Sequence, residues 1–223
     1  MKYSRQERLF FIPETFQEEV ENKKILLIGC GGVGSVLAEL LVRGGFLDLI
    51  IVDNDVIDYT NLQRQNYYEI DVGKPKATTL KEHLRKVNVD CNIDARVELV
   101  SERNLPLLAK NARLVIDATD NFHTRRIIND YCEKENKDWL YNGAIKTELV
   151  CCFFYGKDKL FNKVFSQKNI EENTCDVGVL ASTTFSAAAI AYNQVIRYFL
   201  GIKEYKMIKM DIWTNKLFEV NIK

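Results

Sequence analysis

The sequence carries no net charge, no C-x-x-C cysteine pair, no long apolar run and only two histidines. Each absence narrows the field. Lys plus Arg and Asp plus Glu both number 31 in 223 residues, so nothing electrostatic favours nucleic acid or an anionic membrane as partner. The apolar stretches are broken by glycine or by charges such as Glu39, which leaves no candidate membrane span. The opening MKYSRQERLFF is charged and lacks an apolar signal-peptide core, so a cytoplasmic protein is expected. Cys30, Cys91, Cys132, Cys151, Cys152 and Cys175 are scattered, which fits reduced thiols better than a disulfide framework. His83 and His123 share no nucleophile or metal pattern and read as surface or helix-start residues. There is no internal repeat and no low-complexity tract.

What is present is an alternation of buried-strand and helix patterns. Lys24–Gly29 (KILLIG) is a short apolar run ending at glycines, the mark of a strand buried on both faces. Val33–Arg43 places Leu37, Leu40 and Leu41 at helical spacing, and Leu47–Asp53 is a second buried strand. Helices are expected over 74–87, 102–110, 124–134 and 182–200, with strands over 93–100, 114–120, 139–144 and 148–155. This order predicts one doubly wound, Rossmann-like α/β domain over 1–223 with a mostly parallel sheet. The polar stretch 156–176 reads as a crossover-type functional loop. Ser182, Thr183 and Thr184 are expected to cap the helix that follows it. Residues 206–213 and 217–222 alternate around 214–216 and predict a C-terminal β-hairpin.

Gly29-Cys30-Gly31-Gly32-Val33-Gly34 satisfies G-x-G-x-x-G between a strand and a helix. The first glycine permits the tight turn, the second lets backbone approach a phosphate, and the third lets helix pack on sheet. Asp53 ends the next strand, placed for ribose hydroxyls. The turn alone does not name the nucleotide. Arg64, Lys74 and Lys76 follow the ribose-binding acid, and such cations suit a triphosphate whose pyrophosphate departs; otherwise they are solvated surface charges. Asp117-Ala118-Thr119-Asp120-Asn121 closes a buried strand. A carboxylate there can hold Mg²⁺, or Asp120 or Asn121 can cap the next helix; the two roles are compatible.

Tyr3-Ser4-Arg5-Gln6, the glycine turn, Asp53-Asn54-Asp55 with Asn61-Leu62-Gln63-Arg64-Gln65, Val72-Gly73-Lys74-Pro75-Lys76, and Ala118-Thr119-Asp120-Asn121 together resemble the ThiF/MoeB/HesA family, relatives of the ubiquitin-activating enzymes. The resemblance runs from Tyr3 to about residue 200. It implies an ATP- and Mg²⁺-dependent adenylyltransferase that activates the C-terminal glycine of a small β-grasp ubiquitin-like or sulfur-carrier protein. By position, Gly31 and Gly32 would line the nucleotide and Asp53 would bind ribose. Asn61, Arg64 and Lys76 would contact phosphates, and Asp120 would hold Mg²⁺ and be essential. Arg5 would reach into the active site of the other subunit, which implies a homodimer.

The sequence departs from the family in lacking the two C-x-x-C pairs that bind zinc in many relatives. Cys151 and Cys152 are adjacent, and adjacent strand residues face opposite sides, so no zinc is expected. Cys175 follows the polar loop where some relatives place a thiol that takes the carrier; its alternative is an ordinary loop cysteine. With so few residues after the hairpin, no appended sulfurtransferase domain is expected. Two other functions are weighed. An NAD-dependent oxidoreductase explains the glycine turn and Asp53 but leaves Arg64, Lys76 and Asp120 without a role. A non-catalytic scaffold subunit would be expected to have lost those residues.

Overall fold

The computed structural model describes residues 2–165 and 177–223. An eight-stranded sheet runs in the order β3-β2-β1-β4-β5-β6-β7-β8. The strands are β1 (Ile25–Ile28), β2 (Asp48–Val52), β3 (Asn92–Arg96), β4 (Leu114–Asp117), β5 (Trp139–Ile145), β6 (Glu148–Phe154), β7 (Lys206–Asp211) and β8 (Lys216–Asn221). The first five pair in parallel, with Ile28 opposite both Val52 and Asp117. The last three pair antiparallel, and β7–β8 is the expected hairpin. β1 and β4 are buried along their whole length, as apolar runs require when helices cover both faces of a sheet; only Asp117, which ends β4, is charged.

The helices are α1 (Ser4–Glu7), α2 (Phe16–Val20), α3 (Gly32–Arg43), α4 (Lys76–Val87), α5 (Leu105–Ala109), α6 (Phe122–Glu135), α7 (Phe161–Phe165) and α8 (Ala181–Phe199). They divide the apolar side chains into two cores. One holds Ile25, Leu27, Ile51, Leu140 and Cys151 of the sheet with Leu37 and Leu41 of α3, Leu80 of α4 and Ala188 of α8. The other holds Leu26, Ile28, Val115, Trp139 and Cys152 of the sheet with Leu105 of α5, Ile128 of α6 and Phe161 of α7. Cys151 and Cys152 therefore sit in different layers, as strand geometry dictates. The fully buried alanines Ala187, Ala188 and Ala191 let α8 lie close to the sheet.

Three expectations need correction. β4 stops at Asp117, so Thr119 and Asp120 belong to the turn after it. The stretch after Gly156 contains the helix α7, whose Phe161 and Phe165 pack with Phe154; residues 166–176, including Cys175, lie outside the described residues. The hydroxyls at the start of α8 do not cap it. Thr183 Oγ1 instead donates to the Lys146 carbonyl, and Thr184 Oγ1 to the carbonyls of Ala181 and Arg64. Among the described residues no helix is long and apolar enough to cross a membrane.

Candidate active site

The chain builds the sheet outward in two directions, β1 to β3 on one side and β4 onward on the other. Ligands of doubly wound sheets bind where the strand order reverses in this way, between β1 and β4. A cleft of about 1130 Å³ opens there, at the carboxyl ends of the strands. Its size exceeds the roughly 300–1,000 Å³ of ordinary small-ligand sites, so it has room for a nucleotide and part of a second reactant.

The glycine turn forms one wall. Gly29 has φ +95°, and a Cβ there would meet the Ala118 carbonyl oxygen at 2.6 Å. Gly34, in the first turn of α3, is pressed against the Gly29 carbonyl. A Cβ on Gly31 would meet only Gln65 Nε2, at 3.8 Å, so this residue leaves space on the cleft side. Gly32 also lines the cleft, yet its lack of a side chain serves packing too: a Cβ would meet Thr184 Cγ2 at 2.9 Å. Cys30 is turned into the core, where burial pushes its thiol well above its ordinary pKa.

Asp53 follows β2 beside the turn. Its Oδ2 accepts the Cys30 amide hydrogen at 2.6 Å and its Oδ1 that of Asp55 at 2.8 Å. Each oxygen keeps a second lone pair for a ribose hydroxyl. Burial raises the carboxyl above its usual value, while the two backbone hydrogen bonds and the Lys76 charge pull it back. Asn61 uses its Oδ1 to accept from the Asp58 amide, which closes the short 3-10 turn Tyr59–Asn61 and leaves Nδ2 to donate. Arg64 follows that turn, half-buried, with Nη1 on the Thr60 carbonyl at 3.0 Å.

Lys76 is placed against a local rule. It is the first residue of α4, where the helix dipole disfavours a cation, and it is only 6% exposed. Asp55 partners it at 2.8 Å. A buried cation stacked on the positive end of a helix makes sense when an anion is the intended third member. Asp120 lines the same cleft from the β4–α6 turn, exposed. The cap of α6 falls to Asn121, whose Oδ1 accepts from the Thr124 amide at 2.9 Å. Asp120 is thereby released from the capping role.

Arg5 does not line this cleft. It lies on α1, whose Gln6 donates to the Gly44 carbonyl and accepts from the Tyr192 hydroxyl at the far end of α3. Twelve helical residues separate that end from the glycine turn, about 18 Å. The distance puts Arg5 out of reach of its own chain's site.

Sequence reasoning misses Arg125. It is 5% exposed, lines the cleft, and pairs with the fully buried Asp117 at 3.0 Å. Burial pushes the Asp117 carboxyl up, opposed by the Arg125 charge and the Thr119 hydrogen bonds. The available signal is an acid at the end of a buried strand with an arginine one helical turn past the Asn121 cap. His83, expected as a surface or helix-start residue, instead lies in the second half of α4 and meets Asp71 at 3.1 Å with a side chain 12% exposed.

A model of the ThiF family matches residues 3–223. The chain belongs to the ThiF family. Among ThiF relatives, the sulfur carrier protein ThiS adenylyltransferase of Bacillus subtilis (strain 168) is 32% identical over 98% of this chain and 67% of its own length. The probable molybdopterin-synthase adenylyltransferase of Gracilaria tenuistipitata var. liui is 32% identical over 90% of this chain and 58% of its own. The chain thus spans between about half and two thirds of the length of such relatives. In fold, the ThiF domain superposes on E. coli MccB solved with ATP at a TM-score of 0.83, with 24% identity, covering 99% of this chain and 71% of that one. Membership agrees with the family resemblance in the sequence and not with the hydride-transfer alternative.

Proposed function

We propose that this chain is an adenylyltransferase that uses Mg²⁺-ATP to activate the C-terminal glycine of a small ubiquitin-like or sulfur-carrier protein with a β-grasp fold and a di-glycine end. One observation carries the reading. A single cleft at the switch point gathers the glycine turn, Asp53, the cations Arg64 and Lys76, and the carboxylate of Asp120. The names of the relatives fit the same chemistry.

In this reaction a carboxylate oxygen of the carrier forms a bond to the α-phosphorus of ATP. The bond from that phosphorus to the bridging oxygen breaks, and pyrophosphate leaves with its electron pair. Gly31 and the amides opening α3 would cradle phosphate, and Asp53 would orient the ribose. Arg64, Lys76 and the Asn61 Nδ2 donor would neutralise charge gathering on pyrophosphate. Mg²⁺ would supply further neutralisation. The donor set suits it: no group of three or more His, Cys, Asp or Glu side chains converges among the described residues, and Mg²⁺ is content with one carboxylate, such as Asp120, plus phosphate oxygens and water. Structural zinc has no part in this reading, and neither does a nucleic acid or a membrane. The protein would work in the cytoplasm. Cys175 would be a candidate acceptor thiol.

Thermal unfolding with Mg²⁺-ATP, with NAD, and with neither tests the proposal. A ligand specific to the folded state at a hundredfold excess over its Kd adds about 2.7 kcal/mol. The midpoint should rise with Mg²⁺-ATP alone; a rise with NAD alone would overturn adenylation.

The position of Arg5 supports action in trans within a homodimer. Mixing and reassociating Arg5→Ala and Asp120→Ala chains should restore activity to about a quarter of the parent's, because half of the dimers are mixed and one of their two sites is intact. Mixtures as inactive as the separate variants would place Arg5 outside the partner's site.

A further inference from the structure

One buried network remains without a role in that chemistry. Asp117 closes β4, and its Oδ1 accepts from the Thr119 amide at 3.0 Å and from the Thr119 hydroxyl at 2.6 Å. Its Oδ2 accepts from Arg125 Nε at 3.0 Å. Arg125 Nη2 then returns to the same turn and donates to the Thr119 carbonyl at 2.6 Å. The Thr119 amide, hydroxyl and carbonyl are thus all tied. That carbonyl belongs to the peptide unit that launches Asp120.

The guanidinium is itself held in place. Its carbon lies 4.5 Å from the Tyr141 ring centre and 5.2 Å from that of Phe122. Gly143 on β5 makes room: a Cβ there would approach Nη2 to 3.2 Å. A buried ion pair of this kind adds little to stability compared with apolar packing of the same volume. What it supplies is geometry, since the rigid fork of arginine meets two acceptors in fixed directions.

We infer that Arg125 is a positioning residue for Asp120. Pinned by Asp117 and spaced by Gly143, it fixes the plane of the Thr119–Asp120 peptide, and through it the carboxylate that meets Mg²⁺-ATP. The inference rests on the adenylation reading and adds a residue to it. Lysine at 125 would keep a cation for Asp117 but lose the fork that reaches the Thr119 carbonyl at the same time. The contacts that the glycine turn and Asp53 offer the nucleotide would be untouched.

The experiment is calorimetric titration of ATP into the intact chain, in EDTA and across a series of Mg²⁺ concentrations, for the parent and for Arg125→Lys. ATP affinity in EDTA should be unchanged, whereas the Mg²⁺ concentration giving half of the affinity gain should rise about tenfold or more, the usual effect of losing a partner that orients a metal ligand. A parent that binds no Mg²⁺-ATP overturns the adenylation reading and this inference with it. A parent that responds to Mg²⁺, beside an Arg125→Lys chain with the same response, overturns the positioning role alone. So does an equal loss of ATP affinity with and without Mg²⁺, which marks general damage to the cleft. If Arg125→Lys fails to fold by circular dichroism, Thr119→Val replaces it. That variant removes one tie and leaves the ion pair, and should raise the Mg²⁺ half-point by less; an unchanged half-point overturns the inference.

Discussion

Replacing Asp120 by alanine is expected to lower carrier-dependent ATP–pyrophosphate exchange by about a thousandfold, roughly 4 kcal/mol of transition-state stabilisation. The folded chain should hardly notice. Asp120 is exposed, the α6 cap belongs to Asn121, and the turn is held by Asp117, Thr119 and Arg125. The electrostatic contact of Asp120 with Arg125 is made at the surface, where solvent screens it, so its loss should change stability by about 1 kcal/mol or less and the midpoint by no more than about four degrees. The contrast with Asp117, on the strand just before it, sharpens the test. Asp117→Ala would strand a buried guanidinium and cost about 3–5 kcal/mol of stability. Thermal unfolding should separate the two variants: Asp117→Ala loses stability, and exchange with it because Arg125 loses its anchor, whereas Asp120→Ala loses exchange alone. An Asp120→Ala chain with parent-like exchange would remove this carboxylate from the reaction.

The strands and long helices are legible because their signals are redundant. β1 is an unbroken apolar run and β4 is one up to its final Asp117, and both are buried throughout. α3 opens at the glycines that announce it, and the terminal hairpin follows its alternation. Cys30, inside the turn, is fully buried. The cleft residues Gly31, Gly32, Asp53, Asn61, Arg64, Lys76 and Asp120 come together because the segments that follow β1, β2 and β4 all start from the same end of the sheet.

What stays hidden depends on long-range pairing. Arg125 looks like any helix arginine until β4 is seen to bury Asp117 against it. The α8 threonines resemble caps, yet their hydroxyls face carbonyls 37 and 120 residues away in sequence. Side-chain donors choose among all carbonyls within reach, and local propensity ranks only the near ones. α7 escapes a sequence reading for a related reason. It is little more than one helical turn long, too short for periodicity to register, and it exists because Phe161 and Phe165 join an aromatic cluster with Trp139 and Phe154.

Gly34→Ala should be strongly damaging for a single added methyl group. By helix propensity alone it ought to stabilise, since Gly34 lies inside α3 without a positive φ, and alanine is favoured over glycine there by about 1 kcal/mol. Sterics reverse the sign. The new Cβ would fall on the Gly29 carbonyl and come within 3.3 Å of the Ala118 Cβ. Gly29 cannot retreat, because its own Cα already faces the Ala118 carbonyl and its amide donates to the Val52 carbonyl at 2.8 Å. The helix must therefore lift from the sheet at the glycine turn, where the nucleotide phosphates would sit. Overpacking of this kind costs about 1–3 kcal/mol, and in a domain of this size that lowers the midpoint by roughly 2–12 °C. The Mg²⁺-ATP shift should vanish as well, because the displaced turn carries the amides that would hold the nucleotide. Gly73→Ala is the matched control. Gly73 has φ +85° but open space around its Cα, so only the left-handed backbone is penalised, by about 1–2 kcal/mol, and the Mg²⁺-ATP shift should survive. If Gly34→Ala kept the parent's Mg²⁺-ATP shift, α3 would be free to slide on the sheet, and the glycine turn could not be the rigid cradle on which the site depends.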